Sequence, residues 1–449
     1  MPTAKDASRI HKIFVDSGAS VSWDEAGQFV RHLTLNVVCG PEVGDSLVHQ
    51  AALLTIVNCA ARCFEGGVFV SGISESAVLR TPWSQGISLA KAVHDLMGRL
   101  GEPPTGCSAT LILGDVTVAP QEALRVTFDW WQSMVGPTQD VARLGEDDGF
   151  SLGSVCAGAM GVAEAFQLAT GLTTPFAGRC IKRLSLWNPE TGEAGPKVQR
   201  LPAQLWVIGL GNLGQAALWA LSMLPYTDPA IVLLYLQDFD VLEPANWSTS
   251  MLTTSSSSSQ LKTRWVSACC EAVGFQTRIV ERRFAGKVSL TQDEPRVSMV
   301  CVDNPETRTL LDDTGFDATI ELGLGSGPQG FLDGAIHTFP GPLKAARLWG
   351  SSNPSYSANL LASQPAYQEL ADEGLDECGR LELAGSSIST PFTGVVAACV
   401  AVAEWIRLAR REHRFGTIDF SLTDLSNLRC YRHGNAPPVA VNMVPVQKV

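Results

Sequence analysis

The stretch LWVIGLGNLGQAALWALSML, Leu205–Leu224, decides the fold. LWVIG, Leu205–Gly209, is a short apolar run of residues that favour strands. GLGNLG, Gly209–Gly214, follows in G-x-G-x-x-G spacing, and QAALWALSML then reads as a helix. Each glycine has its own task in such a loop. Gly209 permits the tight turn, Gly211 lets an anion approach the backbone, and Gly214 lets the helix pack against the strand. The opened helix end also offers unpaired N–H groups to an anion. Strand, loop and helix together predict a nucleotide site, with Asn212 among the loop residues.

Further along the chain, IVLLYLQDFD (Ile231–Asp240) predicts a second buried strand and RVSMVCVDN (Arg296–Asn304) a third. This is a βαβ series with a parallel sheet, hence an α/β fold of Rossmann type. Asp238 ends the second strand, 24 residues after Gly214. A carboxylate there suits the ribose hydroxyls of an adenosine, which both NAD and ATP carry. Asp240 is a further candidate for supporting the site.

Before this unit lies a worn copy of the same plan. LTLNVVCG (Leu33–Gly40) predicts a strand, HQAALLTIVNCAARCF a helix, GGVFVSG a strand and ATLILGD (Ala109–Asp115) another. VAEAFQLA (Val162–Ala169) matches VAEWIRLA (Val402–Ala409), each after a stretch of small apolar residues. These read as equivalent helices closing two related domains, about 1–195 and 196–449, whose apolar surfaces are candidates for a homodimer face. The first copy lacks the glycine and acidic motifs, so it reads as a scaffold. The segment Pro340–Glu377 is rich in Pro, Ser, Gly and Asn and reads as a crossing loop rather than a packed element.

Composition narrows the field. Of 449 residues, 45% are hydrophobic and 17% charged, which favours large cores over disorder. The net charge of −12 argues against nucleic acid or an anionic membrane as partner. The apolar runs around Val395–Ala403 and Ala157–Val162 fall short of the ~18–20 residues of a membrane helix. Twelve irregularly spaced cysteines without a C-x-x-C pair argue against a zinc ribbon. With no secretion signal they suggest a reducing cytosol.

Several coupled spacings then separate the readings. Asn246 lies eight residues after Asp238, and Lys262 sixteen after Asn246. Asp303 opens DNPETR at the end of the third strand. A glycine loop, D-x-D, an Asn eight residues on, a Lys, and an Asp within D-N-x-x-x-R together resemble the ubiquitin-activating superfamily. That superfamily includes the bacterial adenylating enzymes of thiamine and molybdopterin synthesis. The resemblance implies two adenylation-type domains, the first inactive and supporting the second as a pseudo-dimer. It implies ATP and Mg²⁺ as cofactors and a ubiquitin-like protein whose C-terminal carboxylate is adenylated. Lys262 is then the phosphate lysine, Asp303 the magnesium ligand, Asn246 a phosphate contact and Asp238 the ribose acid. One position departs from the pattern: Thr249 stands where an arginine is usual. Arg264 is one replacement. Arg9, on a helix predicted for SRIHKIF, is another, because the family often donates an N-terminal arginine across an interface.

Some members of the superfamily pass the acyl group to their own cysteine. Cys378, in DECGRLELAG before STPFTGVVAACVAVAEWIRL, suits that role. Cys378–Gly379, Pro391–Phe392 and DFDVLEPANWSTSML (Asp238–Leu252) resemble the activating enzymes of bacterial antiviral Bil-type conjugation operons. Those operons also encode a conjugating enzyme, the expected acceptor. Asp376 and Glu377 would raise a nearby thiol's pKa. Cys269, Cys270, Cys301, Cys399 and Cys430 read as buried and inert. The serine-rich segment Thr253–Ser259 reads equally as a solvated linker or as a flap over the nucleotide. Three rival readings remain at this level: adenylation without a thioester, a nicotinamide-dependent dehydrogenase, and a non-enzymatic scaffold.

Overall fold

The computed structural model describes residues 6–83, 86–104, 106–117, 120, 122–350, 355–435, 439 and 441–447. Two sheets organise it. The first is built from β1 (Thr34–Cys39), β2 (Gly67–Ser71), β3 (Gly98–Leu100), β4 (Ala109–Leu113), β5 (Leu124–Asp129), β6 (Gln132–Pro137) and β7 (Lys182–Ser185). Its order is β3-β2-β1-β4-β5-β6-β7, parallel as far as β5 and antiparallel for the last two. After β8 (Arg200–Pro202) the second sheet takes β9 (Gln204–Ile208), β10 (Leu233–Gln237), β11 (Gln276–Val280), β12 (Val297–Val300), β13 (Ala318–Leu324), β14 (Asp333–Phe339), β15 (His413–Ser421) and β16 (Arg429–Asn435). Its order is β11-β10-β9-β12-β13-β14-β15-β16, parallel as far as β13 and antiparallel beyond. A short strand, β17 (Met443–Pro445), returns to pair with β8.

The expected α/β fold is present, with mixed sheets in place of a purely parallel one. The two sheets share strand order and direction through seven strands, and the second adds β16. The central strands β4 and β12 are buried along their whole length, as strands covered on both faces must be.

Helices of the first half are α1 (Arg9–Asp16), α2 (Trp23–His32), α3 (Leu47–Ala60), α4 (Leu89–Asp95) and α5 (Leu152–Thr170). Those of the second are α6 (Asn212–Ser222), α7 (Lys262–Ala272), α8 (Pro305–Arg308), α9 (Ala345–Trp349), α10 (Ser355–Ala362), α11 (Pro365–Asp372), α12 (Glu377–Gly385) and α13 (Pro391–Ala409). The two copies of the VAE sequence sit in α5 and α13, each 19 residues long, α5 between β6 and β7 and α13 between β14 and β15 in the chain. The repeated glutamate does the same job twice. Glu164 Oε1 accepts the Gly178 N–H at 2.7 Å, and Glu404 Oε1 accepts the Phe415 N–H at 3.1 Å.

By length and composition α5 and α13 could each cross a membrane, which the shorter runs read from the sequence did not suggest; 89% and 94% of these stretches is buried inside the protein. They pack against each other and against α3 and α6. The expectation that they offer a homodimer face is therefore corrected: their apolar surface is consumed within one chain. Trp219 of α6 donates from Nε1 to Thr55 Oγ1 of α3 at 3.0 Å and is fully buried. At roughly 25 cal/mol per Å² over the ~150–250 Å² an aromatic ring buries, it contributes on the order of 4–6 kcal/mol as an upper bound.

The crossing segment is also corrected. Residues 351–354 lie outside the described ones; the described residues form α9, α10 and α11 and lead into α12, and α11 packs through Ala366, Tyr367 and Leu370. Its helix-breaking residues stand at helix boundaries: Pro365 opens α11, and Asp376 caps α12 by accepting the Gly379 N–H at 2.7 Å. A buried polar knot ties this segment to α1. Lys12 Nζ donates to Asp16 Oδ2 at 2.5 Å, to Tyr367 Oη at 3.0 Å and to the Ala384 carbonyl at 3.1 Å. Tyr367 Oη in turn donates to Asp16 Oδ1 at 2.6 Å. Burial lowers the Lys12 pKa, and the Asp16 charge opposes that shift. Lys12→Met removes the cation and leaves Asp16 buried with only the Tyr367 hydroxyl as partner, so it is expected to cost about 3 kcal/mol in urea unfolding. An unchanged midpoint would show that the knot adds nothing.

Candidate functional site

The glycine loop has two closed positions and one open one. Gly209 has φ +89°, and a side chain there would meet the Cys301 carbonyl at 2.9 Å. A Cβ on Gly214 would lie 2.0 Å from the Gly209 oxygen. A Cβ on Gly211 would meet nothing within 4 Å, so the loop is open there, at the start of α6. Asn212 turns its amide toward α13: Nδ2 donates to the Thr390 carbonyl at 3.3 Å, and Gly394 leaves room for the amide oxygen.

Asp238 holds this loop in place. Its Oδ2 accepts the Leu210 N–H at 2.6 Å, and Oδ1 accepts those of Phe239 at 2.7 Å and Asp240 at 2.9 Å. The residue is 8% exposed. Asp240 reaches outward, and its Oδ2 pairs with Lys262 Nζ at 3.0 Å. Burial alone would lower the Lys262 pKa, but the charges of Asp238, Asp240 and Asp303 outweigh it and raise the ammonium above its ordinary value. These four predicted residues therefore share one electrostatic site. Asp303 is exposed beyond the end of β12. The turn that carries it is fixed from behind. Asn304 caps α8 by accepting the Thr307 N–H, and Arg308 Nε donates to the Val302 carbonyl at 2.9 Å and pairs with fully buried Glu321 at 3.2 Å.

Asn246 sits in the turn Pro244–Ser248, where its Oδ1 accepts the Glu243 N–H at 2.9 Å. Arg9 arrives beside it from α1. Its backbone N–H donates to Ser248 Oγ at 3.1 Å, and its guanidinium donates to Ser386 Oγ at 2.6 Å. Burial lowers the Arg9 pKa, opposed by the Glu243 and Asp303 carboxylates. Arg9 thus joins the acids of the site. Arg264 does not: it points outward and pairs with Glu281 at 2.8 Å. Thr249 is buried.

Two residues missed in the sequence shape this region. Gln215 Oε1 accepts the Leu252 N–H and the Thr253 hydroxyl, both at 3.0 Å. Arg62, from the first half, donates to the Ser250 carbonyl at 3.1 Å and the Thr253 carbonyl at 3.0 Å. Neither carries a local motif; both act far along the chain. The serine-rich segment is pinned by turns, with the Ser259 N–H donating to the Leu242 carbonyl at 2.7 Å and Ser257 buried.

Cys378 is exposed, in the first turn of α12. The Asp376 carboxylate is committed to capping that helix. By helix geometry Cys378 lies roughly 12 Å from Ser386, the residue Arg9 contacts. Cys270, Cys301 and Cys399 are buried, and burial raises all three thiols. Burial also raises Cys269 to about 11 and Cys430 to about 12. Cys180, the other exposed cysteine among the described residues, was not singled out in the sequence.

The matching crevice of the first sheet is filled from within. Glu42 Oε1 accepts the Asp115 N–H at 2.9 Å and pairs with Arg143 at 2.5 Å. Arg143 also pairs with Glu146, whose Oε2 meets His49 Nε2 at 2.9 Å. The Glu42 carboxylate lies against Gly40 and Gly114, so an anionic side chain occupies the space that Gly211 leaves open in the second sheet.

Comparison with known proteins gives a consistent relative. Residues 34–186 match a family described as the BilD N-terminal domain, and residues 201–412 one described as the BilD C-terminal domain. The chain is 37% identical over 441 residues to the bacterial E1-like protein BilD of Collimonas sp. (strain OK412), covering 96% of this chain and 94% of that one. Among solved structures it is similar to E. coli MccB, at a TM-score of 0.34 and 12% identity over 53% of this chain and 64% of that one. It is also similar to PaaA, at a TM-score of 0.33 and 14% identity over 51% and 63%. The chain thus spans under two thirds of the length of either solved structure.

The glycine loop makes a paired prediction. Gly214→Ala is expected to cost about 3 kcal/mol in urea unfolding, because backbone must shift. Gly211→Ala should stay within about 0.5 kcal/mol of the parent, because its Cβ meets open space. Equal losses in the two variants would mean that Gly211 does not face an open site.

Proposed function

The chain belongs to the BilD family of bacterial E1-like proteins, and from that premise we propose that it is an ATP-dependent activating enzyme that adenylates the C-terminal carboxylate of a ubiquitin-like protein. The observation that carries this reading is the meeting of Lys262, Asp238, Asp240, Asp303 and Arg9 beside an open Gly211. A dehydrogenase would need the glycines and Asp238 alone.

In the proposed reaction a carboxylate oxygen attacks the α-phosphorus of ATP. The bond from that phosphorus to the bridging oxygen breaks, and pyrophosphate leaves. The nucleophile is already ionised, so no general base is required, and the barrier is the meeting of two anions. Lys262, held charged by three acids, neutralises the phosphates. Asn246 contacts them from its turn, and Arg9 supplies the cation that Thr249 does not. Asp238 uses three of the roughly four lone-pair sites of a carboxylate on backbone N–H groups, which leaves one for a ribose hydroxyl. Magnesium fits the same donor set: the exposed Asp303 carboxylate, with Asp240 nearby, would hold an oxygen-loving dication that adds positive charge at the phosphates.

We further propose that the Cys378 thiolate attacks the acyl carbon. A carbon–sulfur bond forms, the bond to the adenylate oxygen breaks, AMP leaves, and the thiol proton goes to solvent. Exposure and position at a helix N-terminus support this choice over the buried cysteines. The acyl group would then pass to a conjugating enzyme's cysteine, in cytoplasmic antiphage defence. Residues 1–195 act as an inactive supporting domain and 196–449 as the active one.

The decisive experiment mixes the protein with ATP, magnesium and the ubiquitin-like protein and runs a non-reducing gel. Wild type is expected to give a thiol-sensitive adduct that Cys378→Ala and Asp303→Ala both lose. Asp303→Ala should also lose ATP–pyrophosphate exchange, whereas Cys378→Ala should keep it. No exchange in the wild type would sink adenylation; an adduct surviving in Cys378→Ala would move the thioester elsewhere. Calorimetric titration should further give one ATP per chain, because Glu42 fills the first crevice; two would overturn the supporting role of the first half.

A further inference from the structure

We propose that Arg62, in the half without a nucleotide loop, is a positioning residue for the nucleotide site of the other half. This rests on reading Gly209–Asp303 as that site.

Arg62 follows α3 and is buried. One terminal nitrogen donates to the Asn58 carbonyl at 2.6 Å and to the Asn58 side chain. The other reaches three backbone carbonyls of the second half: Ser250 at 3.1 Å, Met251 at 3.3 Å and Thr253 at 3.0 Å. The guanidinium also lies 5.7 Å from the centre of the Trp247 ring. Among the described residues no carboxylate pairs with it. Burial lowers its pKa to about 10, so it is still a cation at neutral pH. Docking the halves through apolar surface alone would avoid the desolvation that such a charge costs. What the guanidinium adds is direction, because its planar fork fixes where three carbonyls point.

Those carbonyls belong to the segment that links the Asn246 turn to Lys262. Gln215 grips the segment from the other face at Leu252 and Thr253, and Gln215 is on the helix that opens at the glycine loop. Asn58 Nδ2 adds a bond to the Met251 carbonyl at 3.0 Å. The path between Asn246 and Lys262 is thus set jointly by the nucleotide helix and by a cation from the other half. Thr249 immediately precedes the gripped residues, so the clasp begins next to the position where the usual arginine is missing.

The test uses the full chain, ATP with magnesium in calorimetric titration, and hydrogen–deuterium exchange. Arg62→Met is expected to weaken ATP binding about tenfold, the scale of one strong hydrogen bond. Arg62→Lys should weaken it about threefold, since a point charge reaches fewer carbonyls. Exchange should rise over 246–262 in both variants and stay unchanged in the strands of the first sheet. ATP affinity within about twofold of wild type in both folded variants overturns the proposal, as does raised exchange spread through the first half, which marks a general structural role. Should Arg62→Met fail to fold, Arg62→Lys decides by the same two readouts. Should the wild type bind no ATP, the adenylation reading fails, while exchange over 246–262 still decides whether Arg62 sets that segment.

Discussion

Three carboxylates, Asp238, Asp240 and Asp303, gather beyond the ends of β10 and β12, and Lys262 is what lets them stay together. Like charges gathered around one ammonium repel one another. Asp238 is satisfied by backbone N–H groups, Asp240 by the ammonium, and Asp303 by solvent and by the charges of Lys262 and Arg9. The acids raise the lysine's pKa. The glycine loop supplies the approach, with Gly211 open and its two neighbours closed.

Much of this was legible because chain spacing and spatial position coincide in a parallel sheet. Residues at the carboxyl ends of β9, β10 and β12 must lie side by side, so the intervals between Gly209, Asp238 and Asp303 translate directly into geometry. Edge strands were harder. β3 has three residues, and β11 exposes much of its surface, so neither shows a clean alternation. Composition misleads in the crossing segment, because its Pro365 and Asp376 begin helices rather than interrupt them. Arg9 was reached only through family resemblance. Arg62 and Gln215 were not reached at all, because their partners lie elsewhere in the chain and no local pattern marks them.

The first half shows how a Rossmann-like crevice closes. Gly40 still follows β1, but Glu42 turns back into the space above it and is held by Arg143 and the Asp115 N–H. A carboxylate in that position repels the phosphates a glycine loop would attract. Arg143 shares its charge between Glu42 and Glu146, so one cation holds both acids of the plug. The resident acid takes over the role of the missing anion.

The two halves are tied by exchange rather than by simple contact. Gln50 and Gln215 are each the fourth residue of their helices, α3 and α6. Each holds a later segment of its own half: Gln50 Oε1 accepts the Arg80 N–H at 2.6 Å, as Gln215 Oε1 accepts that of Leu252 at 3.0 Å. Each held segment then leans on the opposite helix. Trp83, beyond Arg80, packs on Trp219 of α6 at 5.0 Å, while Met251 packs on Asn58 and Cys59 of α3. Each post-helix segment is therefore held on one side by its own half and on the other by its neighbour. Arg62 breaks the reciprocity. It adds a charged grip in one direction only, toward the half that carries Lys262. The first half, whose crevice is occupied by Glu42, thus reaches with Arg62 into the segment that leads to its neighbour's Lys262.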